Sequence, residues 1–200
     1  MIDRFYPVVP DADWVARLVP AGARFIQLRI KDQPDAELRR QVRAAKAVCA
    51  AYGADLIVND YWQIAIDEKC AWVHLGQEDL AGADVKAIRR AGLLLGVSTH
   101  DRVELEKGLA ADPDYVALGP IYPTLLKKMP WAPQGLERVG KWKRLIGNKP
   151  LVAIGGLTVE RAKLCLAAGA DSAAVVSDIV NHADPMGQTK AWLAATRVAA

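Results

Sequence analysis

Three polar residues in one short run carry the first chemical signal. Gln27, Arg29 and Lys31 stand at i, i+2 and i+4, and in an extended strand that spacing puts all three on one face. Two cations on one face, with an amide beside them, suit a phosphate or a diphosphate. Further along, Val58-Asn59-Asp60 and His74-Leu75-Gly76-Gln77-Glu78-Asp79 each close an apolar run with polar residues. Asp60 or Asp79 alone reads equally well as a helix cap. As a pair beside Arg29 and Lys31 they suit Mg²⁺, which binds through one or two carboxylates and phosphate oxygens. A second anion site is written in small residues: Gly155-Gly156 closes one apolar run and Ser177 closes the next. Backbone N–H groups there can approach an oxyanion closely, and the following helix adds its positive end.

These residues act together only if the chain gathers them. Strands are predicted over 4–9, 24–30, 55–58, 72–75, 93–98, 115–118, 151–154 and 173–176. Most are continuous apolar runs, as in parallel strands buried on both faces. Helical patterns fall between and after them, over 11–19, 34–51, 61–69, 83–91, 101–111, 135–147, 158–168 and 184–198. Pro34 and Thr158 mark helix starts, whereas Gly53, Gly92 and Gly169 mark helix ends. Strict alternation predicts an α/β fold, a (β/α)₈ TIM barrel spanning residues 1–200 as one domain. Weak internal repetition, with Asp114-Tyr115-Val116 resembling Asp171-Ser172-Ala173, favours the closed barrel. No GxGxxG follows the first strand, which weakens an open dinucleotide-binding sheet. In such a barrel the active site lies at the C-terminal strand ends. The polar residues above all fall there, with Ser98-Thr99-His100 after the fifth strand. The loop from Pro120 to Gln134 is long for so short a protein and is expected to serve as an active-site lid.

Composition narrows the classes. A formal charge of +3 with interspersed acids and bases gives no warrant for nucleic acid. The Lys141-Trp142-Lys143-Arg144 cluster reads as a solvated helix face, with a steering patch for anions as the other reading. No apolar run reaches the roughly 20 residues of a membrane span, and no signal peptide is evident, so the expected place is the cytoplasm. Cys49, Cys70 and Cys165 form no CxxC pair and are expected as buried free thiols. Single barrels often dimerise, but no interface is readable in the sequence.

The motifs resemble those of the thiamine-phosphate synthase family, in order, from about residue 24 to 180. They are Gln27-Leu28-Arg29-Ile30-Lys31, Ile57-Val58-Asn59-Asp60 and Val73-His74-Leu75-Gly76-Gln77-Glu78-Asp79, then Gly96-Val97-Ser98-Thr99-His100. Tyr115 to Thr124, Val152 to Leu157 and Ala168 to Ser177 complete the series. The resemblance implies a (β/α)₈ barrel that joins hydroxymethylpyrimidine diphosphate to a thiazole phosphate and releases diphosphate. It implies Gln27 and Asn59 on the pyrimidine, with Ser98 beside the pyrimidine diphosphate. Arg29, Lys31 and Lys127 would be the catalytic cations on the diphosphate, and Asp60 and Asp79 the Mg²⁺ ligands. Thr124, Gly156, Val176 and Ser177 would hold the thiazole phosphate.

Some residues depart from the family pattern. Thr124-Leu125-Leu126-Lys127 stands where the family commonly has Thr-x-Thr-Lys, so a hydroxyl worth about 1.5–3 kcal/mol to a charged group is missing. Ser172 stands where glycine is usual, and Trp131 is expected either to pack over substrate or to anchor the loop. A thiazole tautomerase is the closest rival; it would use His100 as acid or base and would not need the Arg29, Lys31, Asp60 and Asp79 set. A non-catalytic phosphate-binding relative is a second alternative, and a sugar-phosphate isomerase or aldolase using Lys31 is a weaker one.

Overall fold

The computed structural model describes residues 2–124 and 131–197. Its strands are β1 (Phe5–Val9), β2 (Phe25–Leu28), β3 (Asp55–Asn59), β4 (Trp72–Leu75), β5 (Leu94–Thr99), β6 (Tyr115–Leu118), β7 (Leu151–Ile154) and β8 (Ser172–Val175). All pair in parallel in chain order, and β8 pairs with β1, which closes the barrel. The helices are α1 (Ala12–Leu18), α2 (Asp35–Tyr52), α3 (Trp62–Asp67), α4 (Gln77–Gly82) and α5 (Val85–Arg90). They continue with α6 (Arg102–Ala110), α7 (Gly135–Ile146), α8 (Val159–Ala167), α9 (Ser177–Val180) and α10 (Pro185–Thr196).

Eight of these helices were legible in the sequence; α4 and α9 were not. Neither offers an apolar period: α4 buries no residue and α9 is a single four-residue turn. Both spring directly from a strand end, after Gly76 and Val176 respectively. Thr158 caps α8 as expected, accepting the Arg161 N–H at 3.4 Å. Pro34 precedes α2 as its extended cap rather than sitting in its first turn. Gly53 ends α2 in the left-handed conformation, φ +61°.

Parity along the strands divides the core in two. Phe5, Val9, Ile26, Leu28, Val58, Val73, Val97 and Leu118 point outward and pack beneath the helices. Tyr6, Val8, Phe25, Ile57, Trp72, Tyr115, Val152 and Ala174 point inward and fill the barrel. Aromatic rings dominate the inner set: Phe25 lies 4.6 Å from Tyr6 and 5.2 Å from Trp72, centroid to centroid. Each such pair adds about 0.5–1.5 kcal/mol beyond area burial. Gly96 is required by this packing, because a Cβ there would fall inside the Tyr115 ring.

The weak internal repeat has a physical basis at the opposite, N-terminal end of the barrel. Asp114 accepts the Leu95 N–H of β5 at 2.7 Å and pairs with Arg89 of α5 at 2.6 Å. Asp171 accepts the Leu151 N–H of β7 at 2.7 Å and pairs with Lys143 of α7 at 2.8 Å. Each aspartate thus ties its own strand to the preceding strand and to an outer helix. Lys143 is therefore an ion-pair partner, and Trp142 beside it is buried with its Nε1–H on Thr99 at 3.0 Å. Only Lys141 and Arg144 of that cluster form the solvated face. Ser172 fills the place of the usual glycine by donating to the Asp3 carbonyl at 2.7 Å.

Cys49, Cys70 and Cys165 are free and buried. Burial pushes their thiols up to about 12, 11 and 11, so they stay protonated and inert. Among the described residues no helix is long and apolar enough to cross a membrane.

Candidate active site

The strand ends of β2, β3 and β4 gather the predicted cationic and acidic residues. Gln27 faces the barrel interior and is buried. Arg29 and Lys31 keep the inward parity of Gln27 but lie past the last residue of β2, where both are exposed. The strand is therefore shorter than the 24–30 predicted. Its last cross-strand bond is from the Arg29 N–H to the Val9 carbonyl, at 2.8 Å. Two unpaired cations inside the barrel would carry a large desolvation cost; at the rim they stay hydrated.

Asp60 follows β3 in the left-handed conformation, φ +66°, which few residues other than glycine adopt without strain and which Asp tolerates better than most. Its N–H bonds the His74 carbonyl at 2.9 Å, which anchors the turn to β4. Its Oδ2 accepts from Asn59 Nδ2 at 2.6 Å and from Lys31 Nζ at 3.4 Å. Asp79 stands in the first turn of α4. Its carboxyl titrates above the usual range, through partial desolvation and then the negative charge of Asp60, opposed by Lys31. The side chain itself is open to solvent, so the repulsion between the two carboxylates is the more informative cause. Two acids that repel each other at a cationic rim make a place where a further positive charge is favourable.

Below this rim runs a buried polar chain. Gln27 Nε2 donates to Tyr6 Oη at 2.7 Å, and Tyr6 Oη meets Tyr115 Oη at 2.8 Å. Tyr115 Oη meets His74 Nδ1 at 2.8 Å, and His74 Nε2 meets Ser98 Oγ at 2.8 Å. Burial depresses His74 to about 4 from an ordinary 6.5, so it is neutral at pH 7. In the unfolded chain His74 takes up its proton first as the pH falls. Its contribution to stability is therefore whole above pH 6.5 and is lost as the pH falls toward 4. A fall from 6.5 to about 4 corresponds to about 3 kcal/mol. His74→Gln is expected to remove that component: the difference in unfolding free energy between pH 7 and pH 4, from urea titrations, should shrink by that amount. An unchanged difference would mean that His74 is not the group responsible.

The far side of the mouth is built by β6, β7 and β8. Gly155 and Gly156 turn with φ +98° and +65°. A Cβ on Gly155 would lie 2.6 Å from Pro120 Cα, and one on Gly156 would overlap the Pro123 carbonyl oxygen. The segment after β6 is thus laid directly on the glycine turn, held by Tyr122 N–H to Gly155 O at 3.0 Å. Arg161 of α8 reaches back to the Gly156 carbonyl at 2.6 Å and covers the Tyr122 ring at 4.6 Å. Val176 and Ser177 continue β8 beside this turn, since Ile154 pairs with Ala174 two residues earlier. Thr124 closes the described part of the long loop, and Lys127 and Leu126 lie outside the described residues. Where the loop returns, Trp131 stacks on His100 at 4.1 Å, and His100 Nδ1 is held by Glu104 at 2.6 Å. Trp131 thus packs against the β5–α6 turn.

The profile of the family described as thiamine monophosphate synthase matches residues 5–179. The chain is 63% identical over 195 residues to the thiamine-phosphate synthase of Rhizobium etli, covering 98% of this chain and 96% of that one. It is 51% identical over 188 residues to the enzyme of the same name from Cronobacter sakazakii, covering 94% and 90% respectively. The chain belongs to the thiamine-phosphate synthase family. Its fold agrees: a thiamine phosphate pyrophosphorylase from Pyrococcus furiosus superposes with a TM-score of 0.85 at 25% identity, covering 96% of this chain and 95% of that one. Membership makes the chain a transferase of thiamine biosynthesis and favours the synthase over the tautomerase and binding-protein alternatives.

Of the residues the family resemblance assigns, the structure brings Lys31, Asn59 and Asp60 into contact and sets Asp79 beside them. It places Gly156, Val176 and Ser177 on the opposite rim, with Ser98 on the wall between, at the end of β5. Three residues near the site were not singled out from the sequence: Tyr6, Tyr115 and Arg161. The two tyrosines lie at inward positions of β1 and β6, and counting parity from Gln27 and His74 in their own strands cannot reveal that their oxygens meet. Arg161 reads in the sequence as an ordinary charge in a helix's first turn.

Proposed function

We propose that the barrel mouth binds 4-amino-5-hydroxymethyl-2-methylpyrimidine diphosphate against β2–β5 and 4-methyl-5-(2-phosphooxyethyl)thiazole against β6–β8. Arg29, Lys31 and the loop residue Lys127 hold the diphosphate. Gln27 and Asn59 hold the pyrimidine, and Ser98 lies between the two groups. Thr124, Gly156, Val176 and Ser177 hold the thiazole phosphate, with backbone N–H groups at the glycine turn as the main donors.

Asp60 and Asp79 would hold Mg²⁺. The donor set fits a hard cation: the ligands are oxygens, and the remaining positions are left for phosphate oxygens and water. When bound, Mg²⁺ supplies charge that stabilises the departing diphosphate. The chain's own residues do the rest. Arg29 and Lys31 neutralise the oxygens on which the electron pair of the breaking C–O bond collects. Gln27 and Asn59 hold the pyrimidine so that its methylene carbon faces the thiazole, whose nitrogen forms the new C–N bond. No protein nucleophile is needed, because the aminopyrimidine ring is electron-rich enough to support a developing cation. A reducing cytoplasm is the compartment that three buried free thiols suit.

The observation that carries this reading is the contact of Lys31 and Asn59 with Asp60, beside the like-charged Asp79. The test is to mix purified protein with both substrates and Mg²⁺ and to follow thiamine phosphate and diphosphate. Stoichiometric release of the two, abolished by a chelator and restored by Mg²⁺, is expected. Tight binding of the thiazole phosphate with no product would overturn the reading.

A further inference from the structure

The five-member chain from Gln27 to Ser98 leads away from the substrates and then back to them. Its two ends are the residues assigned to the pyrimidine side of the mouth, and any effect of the chain on binding rests on that assignment. Its three middle members, Tyr6, Tyr115 and His74, are buried and lie on β1, β6 and β4. We propose that Tyr6, Tyr115 and His74 are positioning residues that couple the hydrogen-bond direction of Gln27 to that of Ser98, so that the two present a matched acceptor and donor to the pyrimidine substrate.

A count of protons along the chain sets its direction. Each phenol carries one proton, a neutral imidazole carries one, and every link in the chain holds one. Gln27 Nε2 donates to Tyr6. Tyr6 must then direct its own proton to Tyr115, the other oxygen at 2.8 Å. Tyr115 must in turn donate to His74 Nδ1. His74 is thereby fixed as the Nε2–H tautomer, which donates to Ser98 Oγ. Ser98, already accepting, has its hydroxyl proton left for the mouth, while Gln27 turns Oε1 toward it. If Ser98 instead donated to His74, every link back to Tyr6 would reverse. Tyr6 would then accept from both Gln27 and Tyr115, and its own proton would be stranded in the barrel interior. Among the described residues no buried side-chain nitrogen or oxygen lacks a partner, so the chain has no open end inside the barrel.

The consequence is selection by pattern. The mouth offers an acceptor at Gln27 and a donor at Ser98. A heteroaromatic ring with an amino donor and a nearby acceptor, either a ring nitrogen or a diphosphate oxygen, satisfies both. A ring with the amino group replaced by an oxo group would present an acceptor to Gln27 and could be met only by reversing all five members. Gly96 belongs to the same device, since only glycine there admits the Tyr115 ring that makes the central link.

The test uses Tyr6→Phe, which removes one buried oxygen and leaves Gln27, Ser98, His74 and Tyr115 in place. Nitrogen-15 spectra of the imidazole in the free, metal-free protein read the tautomer directly. The wild type is expected to show His74 as Nε2–H alone at pH 7. Tyr6→Phe is expected to show both tautomers, and KM for the pyrimidine diphosphate should rise about tenfold with kcat within about twofold. A wild-type His74 that is Nδ1–H or mixed would overturn the proposal, and so would a variant that keeps the single Nε2–H tautomer. The wild-type spectrum decides by itself if Tyr6→Phe does not fold. Failure to form thiamine phosphate would instead overturn the catalytic reading, since the tautomer is read without substrate.

Discussion

Asp60→Asn is expected to lower kcat/KM by about 100- to 1000-fold, the usual loss on removal of one preorganised charge or donor at a transition state. The fold should survive. Asn tolerates the left-handed backbone that Asp60 occupies at φ +66°. The ion pair that is lost, Lys31 to Asp60 at 3.4 Å, involves a half-exposed lysine and contributes at most about 1 kcal/mol. The substitution removes half of the negative charge proposed to hold Mg²⁺ against the diphosphate. The Mg²⁺ concentration for half-maximal rate should therefore rise along with the loss in rate. With its neighbour neutral, Asp79 should also titrate lower, because the repulsion from Asp60 that raises it is gone. Asp79→Asn should fall in the same range. A loss below about threefold with an unchanged Mg²⁺ dependence would remove these two carboxylates from the metal site.

Gly156→Ala should be nearly as damaging, for a different reason. The residue sits at φ +65°, and a Cβ there would overlap the Pro123 carbonyl oxygen. The left-handed backbone costs an alanine about 1–2 kcal/mol, and overpacking against backbone adds about 1–3 kcal/mol. Thermal or urea unfolding should therefore show a loss of about 2–5 kcal/mol. Either the glycine turn or the Pro123-Thr124 segment must move, and both belong to the proposed thiazole phosphate site. KM for the thiazole phosphate is expected to rise about 100-fold, with little change in KM for the pyrimidine diphosphate. Gly53→Ala separates the two causes. Gly53 is left-handed, φ +61° and ψ +40°, with nothing within 4 Å of the added carbon, and it ends α2. It should show the backbone penalty of about 1–2 kcal/mol and no change in either KM. If Gly156→Ala behaves like Gly53→Ala, the close approach of the loop is not part of the phosphate site.

The barrel, and the end of it at which the candidate site residues gather, could be read from the chain alone. Apolar strand runs alternating with amphipathic helices leave few other ways to bury both faces of eight strands. The inward parity of Gln27, Asn59, His74 and Ser98 follows from a two-residue repeat that is local to each strand. The turn residues Asp60 and Gly156 were legible because they cap strands, and strand ends are where barrels work. Which of these residues meet was a matter for the assembled barrel. Lys31 touches Asp60 because β2 stops at Leu28 and releases its cations to the rim. Tyr6 and Tyr115 touch across 109 residues of sequence. The level of each inward side chain depends on how far neighbouring strands are staggered when the sheet closes. That stagger is fixed by packing around the whole barrel, and no single strand's sequence encodes it.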